Sequence, residues 1–175
     1  RSHLTKADLS RAILTGANLT GAHLTKADLS RANLSEANLT GADLSGANLN
    51  RVKLIEATLV DANLSGADLT GAYLYMADTS GANLTKANLS EANLTKTNLT
   101  KAILIRTDLT EAHHLYGANL TGADLTEANL TKASLKRINL TEANLTGANL
   151  TDANLIRAIF CGTTMQDGTM DNSGC

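Results

Sequence analysis

The side chains of this sequence that could act as metal ligands are few and widely separated. The four histidines are His3, His23, His113 and His114, and the two cysteines are Cys161 and Cys175. The adjacent pair His113-His114 could begin a metal site, but no third ligand of a suitable type lies near it in the sequence. The two cysteines lack the spacing of metal ligands and are too few to form a disulfide scaffold. We therefore predict no metal site and no cofactor.

Catalytic chemistry is also poorly represented. The histidines and the scattered carboxylates do not form a nucleophile and base pair within any predicted reach. The glycines up to Gly162 all occupy one position of a repeat, so no glycine-rich segment has the pattern of a phosphate-binding loop. Cys161 falls at an outward-facing position, where we expect an ordinary or adventitiously paired thiol. We predict that the protein is not an enzyme and has no catalytic residues.

The charge and hydropathy of the chain exclude further classes of protein. Its 175 residues include 15 Lys and Arg against 17 Asp and Glu, which gives a net charge of -2 and a pI of about 6.1. No basic field therefore draws the chain to nucleic acid or to anionic membranes. No apolar run has the length of a membrane span or of a signal-peptide core. We predict no direct nucleic-acid or membrane binding, and the missing export signal favours the cytoplasm.

A five-residue period organises nearly the whole sequence. Leucine occupies 21 of the 22 five-spaced positions from Leu4 to Leu109, with Thr79 as the exception, and all nine positions from Leu115 to Leu155. The residue two before the leucine is Ala at 25 of these 31 sites. The residue just before it is mostly Asn or Asp, the residue after it is mostly Ser or Thr, and the next is Gly or a charged residue. Internal repeats of this kind decide the architecture before any local prediction.

The period fits neither an α-helix nor a flat strand. Five residues advance about 140° around a helix, so the leucines would face every direction. In a long strand, successive leucines would alternate between the two faces. If Ala and Leu share one face, the odd gap to the next Ala requires a corner, and glycine is the residue expected there. The sequence thus predicts very short strands joined by corners, which wind into a coil with Leu and Ala inside.

The repeated pattern, as in Ala37-Asn38-Leu39-Thr40-Gly41, closely resembles that of the pentapeptide-repeat proteins, which are abundant in cyanobacteria. The resemblance covers residues 3–165. It implies an all-β fold, a right-handed quadrilateral parallel β-helix with four pentapeptides per coil and about eight coils. On this basis we expect residues 1–165 to form a single solenoid and residues 166–175 to be a frayed tail.

Three irregularities interrupt the pattern. Thr79 stands at a leucine position, and we expect its hydroxyl to bond a nearby carbonyl. One residue is inserted within 112–115, which we interpret as a bulged corner in a continuous solenoid, although a junction between two repeat proteins would leave the same pattern. Near the C-terminus, Phe160 and Met165 replace leucine, and such larger side chains could close the end of the core. The N-terminal end shows no cap, so we expect homodimers that associate through the solenoid ends.

With twenty residues per coil, side chains twenty apart should form columns on the surface. The residues just before leucine then give a partly acidic column that contains Asp8, Asp28, Asp68 and Asp108, and Arg11, Arg31 and Arg51 form a second column beside it. A simpler interpretation of the first column is that Asn and Asp cap the local backbone. These seven residues are the candidate interaction surface.

The predicted function is that of a structural or protein-interaction module with an unknown protein partner. The resemblance also suggests an alternative, because some pentapeptide-repeat proteins mimic DNA and bind DNA gyrase or topoisomerase. That mimicry needs a strongly anionic surface, and a net charge of -2 with mixed columns imitates DNA poorly. A second alternative is an ice-binding surface that orders water through hydroxyl groups such as those of Thr5, Thr25 and Ser45. These hydroxyls occur at the corners of every side, which turn chemistry explains equally well.

Overall fold

Every repeat from Leu4 to Leu155 ends in the same tight corner. The structure is a computed structural model, and it describes residues 3–112 and 114–175. In the first repeat, the N–H of Ala7 donates to the carbonyl of Leu4 at 3.0 Å, and Lys6 has a φ of 58°. This hydrogen bond and the positive φ at the third residue are features of a type II turn. The corner therefore lies where the glycine positions predicted it.

The corner conformation is imposed on residues of several types, although glycine suits it best. The corner glycines have φ between 61° and 69°, and the Lys, Arg, Glu, Asp and Met residues at the same position have φ between 53° and 61°. This left-handed region costs a residue with a Cβ roughly 1–2 kcal/mol. The hydrogen bonds and packing of the surrounding coils must offset that cost at each corner that lacks glycine.

Parallel bridges link residues twenty apart, so that one coil contains four repeats and has four sides. The bridges join the residues just before leucine, beginning with His3 to His23, Asp8 to Asp28, Ile13 to Asn33 and Asn18 to Asn38. We number the sides first to fourth from these four pairs in that order. Successive coils are about 4.8 Å apart, as in any β-ladder. Within the two described ranges, no helix is long and apolar enough to cross a membrane.

Each backbone N–H of a typical repeat has its own acceptor, as residues 27–31 illustrate. The N–H groups of Leu29 and Arg31 donate to the next coil at 2.8 and 2.9 Å, and that of Asp28 donates to the preceding coil at 2.9 Å. The N–H of Ala27 closes the turn. The fifth, that of Ser30, donates to Oδ1 of Asp28 at 2.9 Å. The preference for Asn or Asp before leucine thus supplies the one acceptor that the backbone cannot provide.

The interior is a stack of leucine and alanine, as predicted. Leucines from Leu24 to Leu145 are at most 2% exposed, and the alanines two residues before them are equally covered. In the first coil, Leu4, Leu9 and Leu14 are only partly buried. A regular interior coil buries four leucines and four alanines. Stacking is needed because burying a leucine contributes only about 1.5–3 kcal/mol.

Buried threonines interrupt this core without leaving an unpaired hydroxyl. Thr79 is 1% exposed, and its Oγ1 donates to the carbonyl of Asn98 at 2.9 Å. The expected hydroxyl-to-carbonyl bond is therefore present. Thr97 and Thr107, which replace alanine, donate to the carbonyls of Leu74 and Leu84 at 2.7 Å. Threonine is tolerated in this interior because each hydroxyl reaches a backbone carbonyl.

The inserted residue changes the register of one coil from 20 to 21 residues without ending the solenoid. Bridges that span the insertion join Asn93 to His114 and Asn98 to Asn119, and the ladder then returns to a spacing of twenty. The corner at Glu111 is regular, with a φ of 54°, and Ala112 is fully buried. The ladder therefore continues across the insertion, so the solenoid is not interrupted there. The predicted bulge involves His113, which lies outside the described residues, and the bulge stays a prediction.

The last coil is closed by a short hairpin. Strand β1 (Thr163–Thr164) pairs antiparallel with β2 (Met170–Asp171), and it also continues the first side of the solenoid. A disulfide joins Cys161 to Cys175. The chain therefore turns back across the end of the rod after its last buried repeat.

The hairpin differs from the frayed tail that we expected for residues 166–175. The N–H of Gly174 donates to the carbonyl of Phe160, and the N–H of Gly162 donates to Oδ1 of Asn172 at 2.9 Å. These bonds and the disulfide hold the segment against the last coil, because they satisfy an edge that another coil would otherwise cover. Phe160 packs partly buried against the core, as expected for a side chain near its end.

Candidate interaction surface

The acidic candidates lie in one column on the second side. Asp8, Asp28, Asp68 and Asp108 belong to a ladder that also contains Asn48 and Asn88. The structure thus stacks these residues as the twenty-residue spacing predicted. All eight residues of this ladder are Asn or Asp, and each accepts a hydrogen bond from the backbone N–H two residues later. Backbone capping therefore explains the oxygen atoms of this column, but it does not explain why several of them are charged.

A groove of about 680 Å³ brings part of the predicted surface together. It is lined by Ser10, Arg11, Asp28, Ser30, Arg31, Asn48, Asn50 and Asp68. Two arginines of the corner column thus face two carboxylates of the adjacent side. Asp8, Asp108 and Arg51 lie in the same columns but do not line this groove. We call it the Asp/Arg groove.

Hydrogen bonds hold the carboxylates of this column in one orientation. Oδ1 of Asp28 accepts from the N–H of Ser30 and from Nδ2 of Asn48, at 2.9 and 3.1 Å. Oδ1 of Asp68 accepts from the N–H and the hydroxyl of Thr70, at 3.0 and 2.6 Å. At Asp8, the hydroxyl and N–H of Ser10 lower the pKa of the carboxyl below its usual value.

The third side carries aromatic residues that the sequence interpretation missed. Tyr73 lies on this side and is 46% exposed, and Tyr75 and Tyr116 lie at the corner that follows it. Tyr73 also lines a groove of about 350 Å³ together with Arg51, Gly71, Glu91, Asn93 and His114. The three tyrosines of the chain therefore cluster on one part of the rod. The twenty-residue spacing could have revealed the cluster. The inserted residue shifts Tyr116 by one position, however, so it is no longer a multiple of twenty residues from Tyr75.

Two other groups considered from the sequence have clear structural surroundings. The rings of His3 and His23 stack in parallel with their centroids 5.0 Å apart, as the column spacing predicted. Within the described ranges, no group of three or more His, Cys, Asp or Glu side chains is arranged to hold a metal ion. Many hydroxyls at the corners donate to the Asn or Asp two residues earlier, as Thr100 does to Asn98 at 2.6 Å. This is the turn chemistry expected of them.

The geometry defines a four-sided parallel β-solenoid, and sequence comparison assigns its family. The family model for pentapeptide repeats matches eight copies, in segments that run from residues 2–41 to residues 138–173. The chain belongs to the pentapeptide-repeat family. Members with solved structures are right-handed quadrilateral β-helices, and this chain has the fold that was predicted.

Several solved structures are similar to this chain. One is HetL, a protein involved in the regulation of heterocyst differentiation in the cyanobacterium Nostoc, with 36% identity over 94% of this chain and 78% of HetL, and a TM-score of 0.46. A thylakoid-lumen protein of Arabidopsis thaliana is 40% identical over 52% of this chain and 66% of its own, with a TM-score of 0.29. The fluoroquinolone resistance protein QnrB1 is 23% identical over 86% of each chain, with a TM-score of 0.38. A search of curated proteins found no match.

Proposed function

We propose that this protein is a rigid, non-enzymatic module that binds a protein partner through side-chain columns, with the Asp/Arg groove as a contact site. The observation that supports the proposal is the meeting of Arg11 and Arg31 with Asp28 and Asp68 in one groove. Asn would satisfy the backbone at positions 28 and 68 as well as Asp does, so the fold alone does not require these charges. An alternating set of fixed positive and negative groups favours a partner with the complementary charges and disfavours others.

The backbone supports this role because it leaves little freedom at the groove. The N–H groups of Leu29 and Arg31 are bonded to the next coil, and the carboxylate of Asp28 is held by two donors. A partner that binds here does not need to order the backbone, so less entropy is lost on binding. The module can thus present its columns in nearly the same geometry before and after binding.

Affinity capture with charge-reversed variants tests the proposal. The chain would be immobilised as wild type and as Arg11→Glu/Arg31→Glu, and the proteins captured from the source organism would be compared. Lys101→Glu is the matched control, because Lys101 also occupies a corner with positive φ but lies outside the groove. We expect a partner that the wild type and the control capture and the double variant does not. Equal capture by all three proteins would refute the assignment of this groove.

DNA mimicry is a weaker candidate function for this chain. A protein that competes with DNA needs a continuous anionic surface, whereas Arg11, Arg31 and Arg51 follow the acidic column at the neighbouring corner. A gyrase supercoiling assay separates the two functions. Inhibition that persists in Arg11→Glu/Arg31→Glu would favour mimicry, because the double variant is more anionic.

A further inference from the structure

The third side departs more often than the other sides from the preference for Asn or Asp just before leucine. Its bridging residues are Ile13, Asn33, Lys53, Tyr73, Asn93, His114, Ser134 and Asn154. Five of these eight are neither Asn nor Asp, against four of nine on the first side, two of eight on the fourth and none of eight on the second. Each departure replaces the Asn or Asp whose side-chain oxygen would cap the N–H two residues later. Local rules that favour the fold are broken most readily where another property is selected, so the third side is the natural place to look for function.

The exposed residues of the third side and of the corner that follows it are suited to binding. Tyr73, Met76 and Tyr116 are 46%, 47% and 51% exposed, and Tyr75 lies beside Met76 at the same corner. Tyr, Met and Arg are enriched at protein interfaces, and exposed tyrosines supply a large contact area at low entropic cost. A pocket beside Tyr73 is open because Gly71 has no side chain in the corner column between Arg51 and Glu91.

Each tyrosine has a cation beside it. Lys53 is the bridging neighbour of Tyr73 in the preceding coil. Nζ of Lys96 lies 5.8 Å from the ring centroid of Tyr75. Arg137 lies 5.9 Å from the ring of Tyr116, and its Nη1 donates to the Tyr116 hydroxyl at 3.3 Å. Lys96 and Arg137 are thus placed over aromatic rings, where they remain available to an anion.

The charge of this region is opposite to that of the whole chain. No bridging residue of the third side is Asp or Glu, and each of the other three sides has at least one Asp among its described bridging residues. The third side and its following corner carry five Lys or Arg (Lys53, Lys96, Lys136, Arg137 and Arg157) against two Glu (Glu36 and Glu56). This is a local formal charge of +3 on a chain whose net charge is -2.

We propose that the third side binds an acidic, extended segment of a partner protein, with apolar side chains placed on Tyr73 and Tyr116 and carboxylates beside Lys53, Lys96 and Arg137. Tyr75 and Tyr116 occupy one corner two coils apart, a separation of about 10 Å that an extended peptide of a few residues spans. A nucleic acid fits less well, because the remainder of the rod is anionic and would repel a long polyanion. The proposal deepens the proposed function by naming a partner chemistry, and it concerns a different side from the Asp/Arg groove.

The intrinsic fluorescence of the protein gives a direct readout of this surface. The chain has no Trp and three Tyr, and all three tyrosines belong to the proposed surface. The test titrates the full chain with a ten-residue peptide in which Glu alternates with Leu, which has no fluorescence of its own. Peptides in which Lys alternates with Leu, and Glu with Ser, are the controls for charge and for apolar contact. We expect a saturable change in Tyr fluorescence with the Glu-Leu peptide alone, and weaker binding as the salt concentration rises.

Variants of the protein test which tyrosines contact the peptide. Their affinity for a labelled Glu-Leu peptide is measured by fluorescence anisotropy. Tyr73→Asn/Tyr116→Thr replaces both tyrosines with residues that stand at equivalent positions of other repeats, such as Asn93 and Thr95. We expect at least tenfold weaker binding with no loss of thermal stability, because Asn at position 73 restores the missing cap. Ile103→Asn, on the first side, is the matched control and should bind as the wild type does.

The proposal would be overturned by the absence of saturable binding by the Glu-Leu peptide, by equal binding of the Lys-Leu peptide, or by unchanged affinity in the tyrosine double variant. Tighter binding of a single-stranded oligonucleotide than of the Glu-Leu peptide would also overturn it in favour of a nucleic-acid surface. Arg11→Glu/Arg31→Glu should still bind the peptide, so a failure of the Asp/Arg groove can be told apart from a failure of this surface.

Discussion

Removing one side-chain cap should destabilise the solenoid, and the expected loss follows from the number of hydrogen bonds that the cap accepts. Oδ1 of Asn88 accepts the N–H of Ser90 at 3.0 Å and the hydroxyl of Ser90 at 2.7 Å. Asn88→Ala removes the one acceptor of both hydrogen bonds. The net contribution of one such bond is about 0.5–1.5 kcal/mol, and water can partly replace the acceptor at this position. We therefore expect the free energy of unfolding to fall by roughly 1 kcal/mol.

The assay for this prediction combines urea denaturation with amide hydrogen exchange. For a chain of this size, 1 kcal/mol corresponds to a decrease of about 2–4 °C in Tm. Exchange of the Ser90 amide should accelerate, and exchange of the Leu89 amide, which donates to Asp108, should change much less. Asn88→Asp is the matched control, because it keeps the oxygen and adds only charge. Equal stability of Asn88→Ala and the wild type, or equal losses in both variants, would refute the capping argument.

The remaining predictions concern the core, the cap, the carboxylates and assembly. Leu64→Ala should lower the free energy of unfolding by about 2–5 kcal/mol in urea denaturation, because Leu64 is fully buried. Reducing the Cys161–Cys175 disulfide should cost up to about 3 kcal/mol and speed amide exchange within residues 163–175, and unchanged exchange would contradict the role of the hairpin. Burial raises the pKa of Asp43, but donors from Ser45, Thr25 and Asn63 outweigh this effect and lower it. The contribution of Asp43 to stability is therefore present above the usual pKa of 3.8 and is lost as the pH falls through the lowered value. Asp43→Asn should remove this part of the pH dependence in urea titrations. Association through the solenoid ends should appear as concentration-dependent sedimentation, and a strict monomer at high concentration would contradict it.

The core and the corners could be predicted because the same residue pattern recurs in every repeat. With Leu at every fifth residue and Ala two residues before it, only one arrangement buries both side chains. The glycine positions predict where the chain turns. The number of sides came from the resemblance, since periodicity gives a coil but not its circumference. The positive φ of residues such as Glu91 could not be foreseen from propensity, because the ladder imposes a conformation that a side chain disfavours.

The end cap and the third side escaped prediction for different reasons. Cys161 and Cys175 pair only because the segment between them folds back, and the period that predicts everything else stops before that segment. The columns of Asp28 and Arg31 were visible because they obey a spacing of twenty. Tyr73 precedes a leucine, whereas Tyr75 and Tyr116 each follow one. The insertion lies between Tyr75 and Tyr116, so their proximity depends on the register that the structure establishes.

The unequal direction of the ladder bonds gives the rod an electrical polarity. In each repeat two N–H groups, such as those of Leu29 and Arg31, are directed to the following coil, and one, such as that of Asp28, is directed to the preceding coil. One peptide dipole per repeat therefore remains uncancelled, and all of these point the same way along the axis, as they do in an α-helix. The C-terminal tip should attract anions for this reason. The acidic residues of the tail, Asp167 and Asp171, are located at that end.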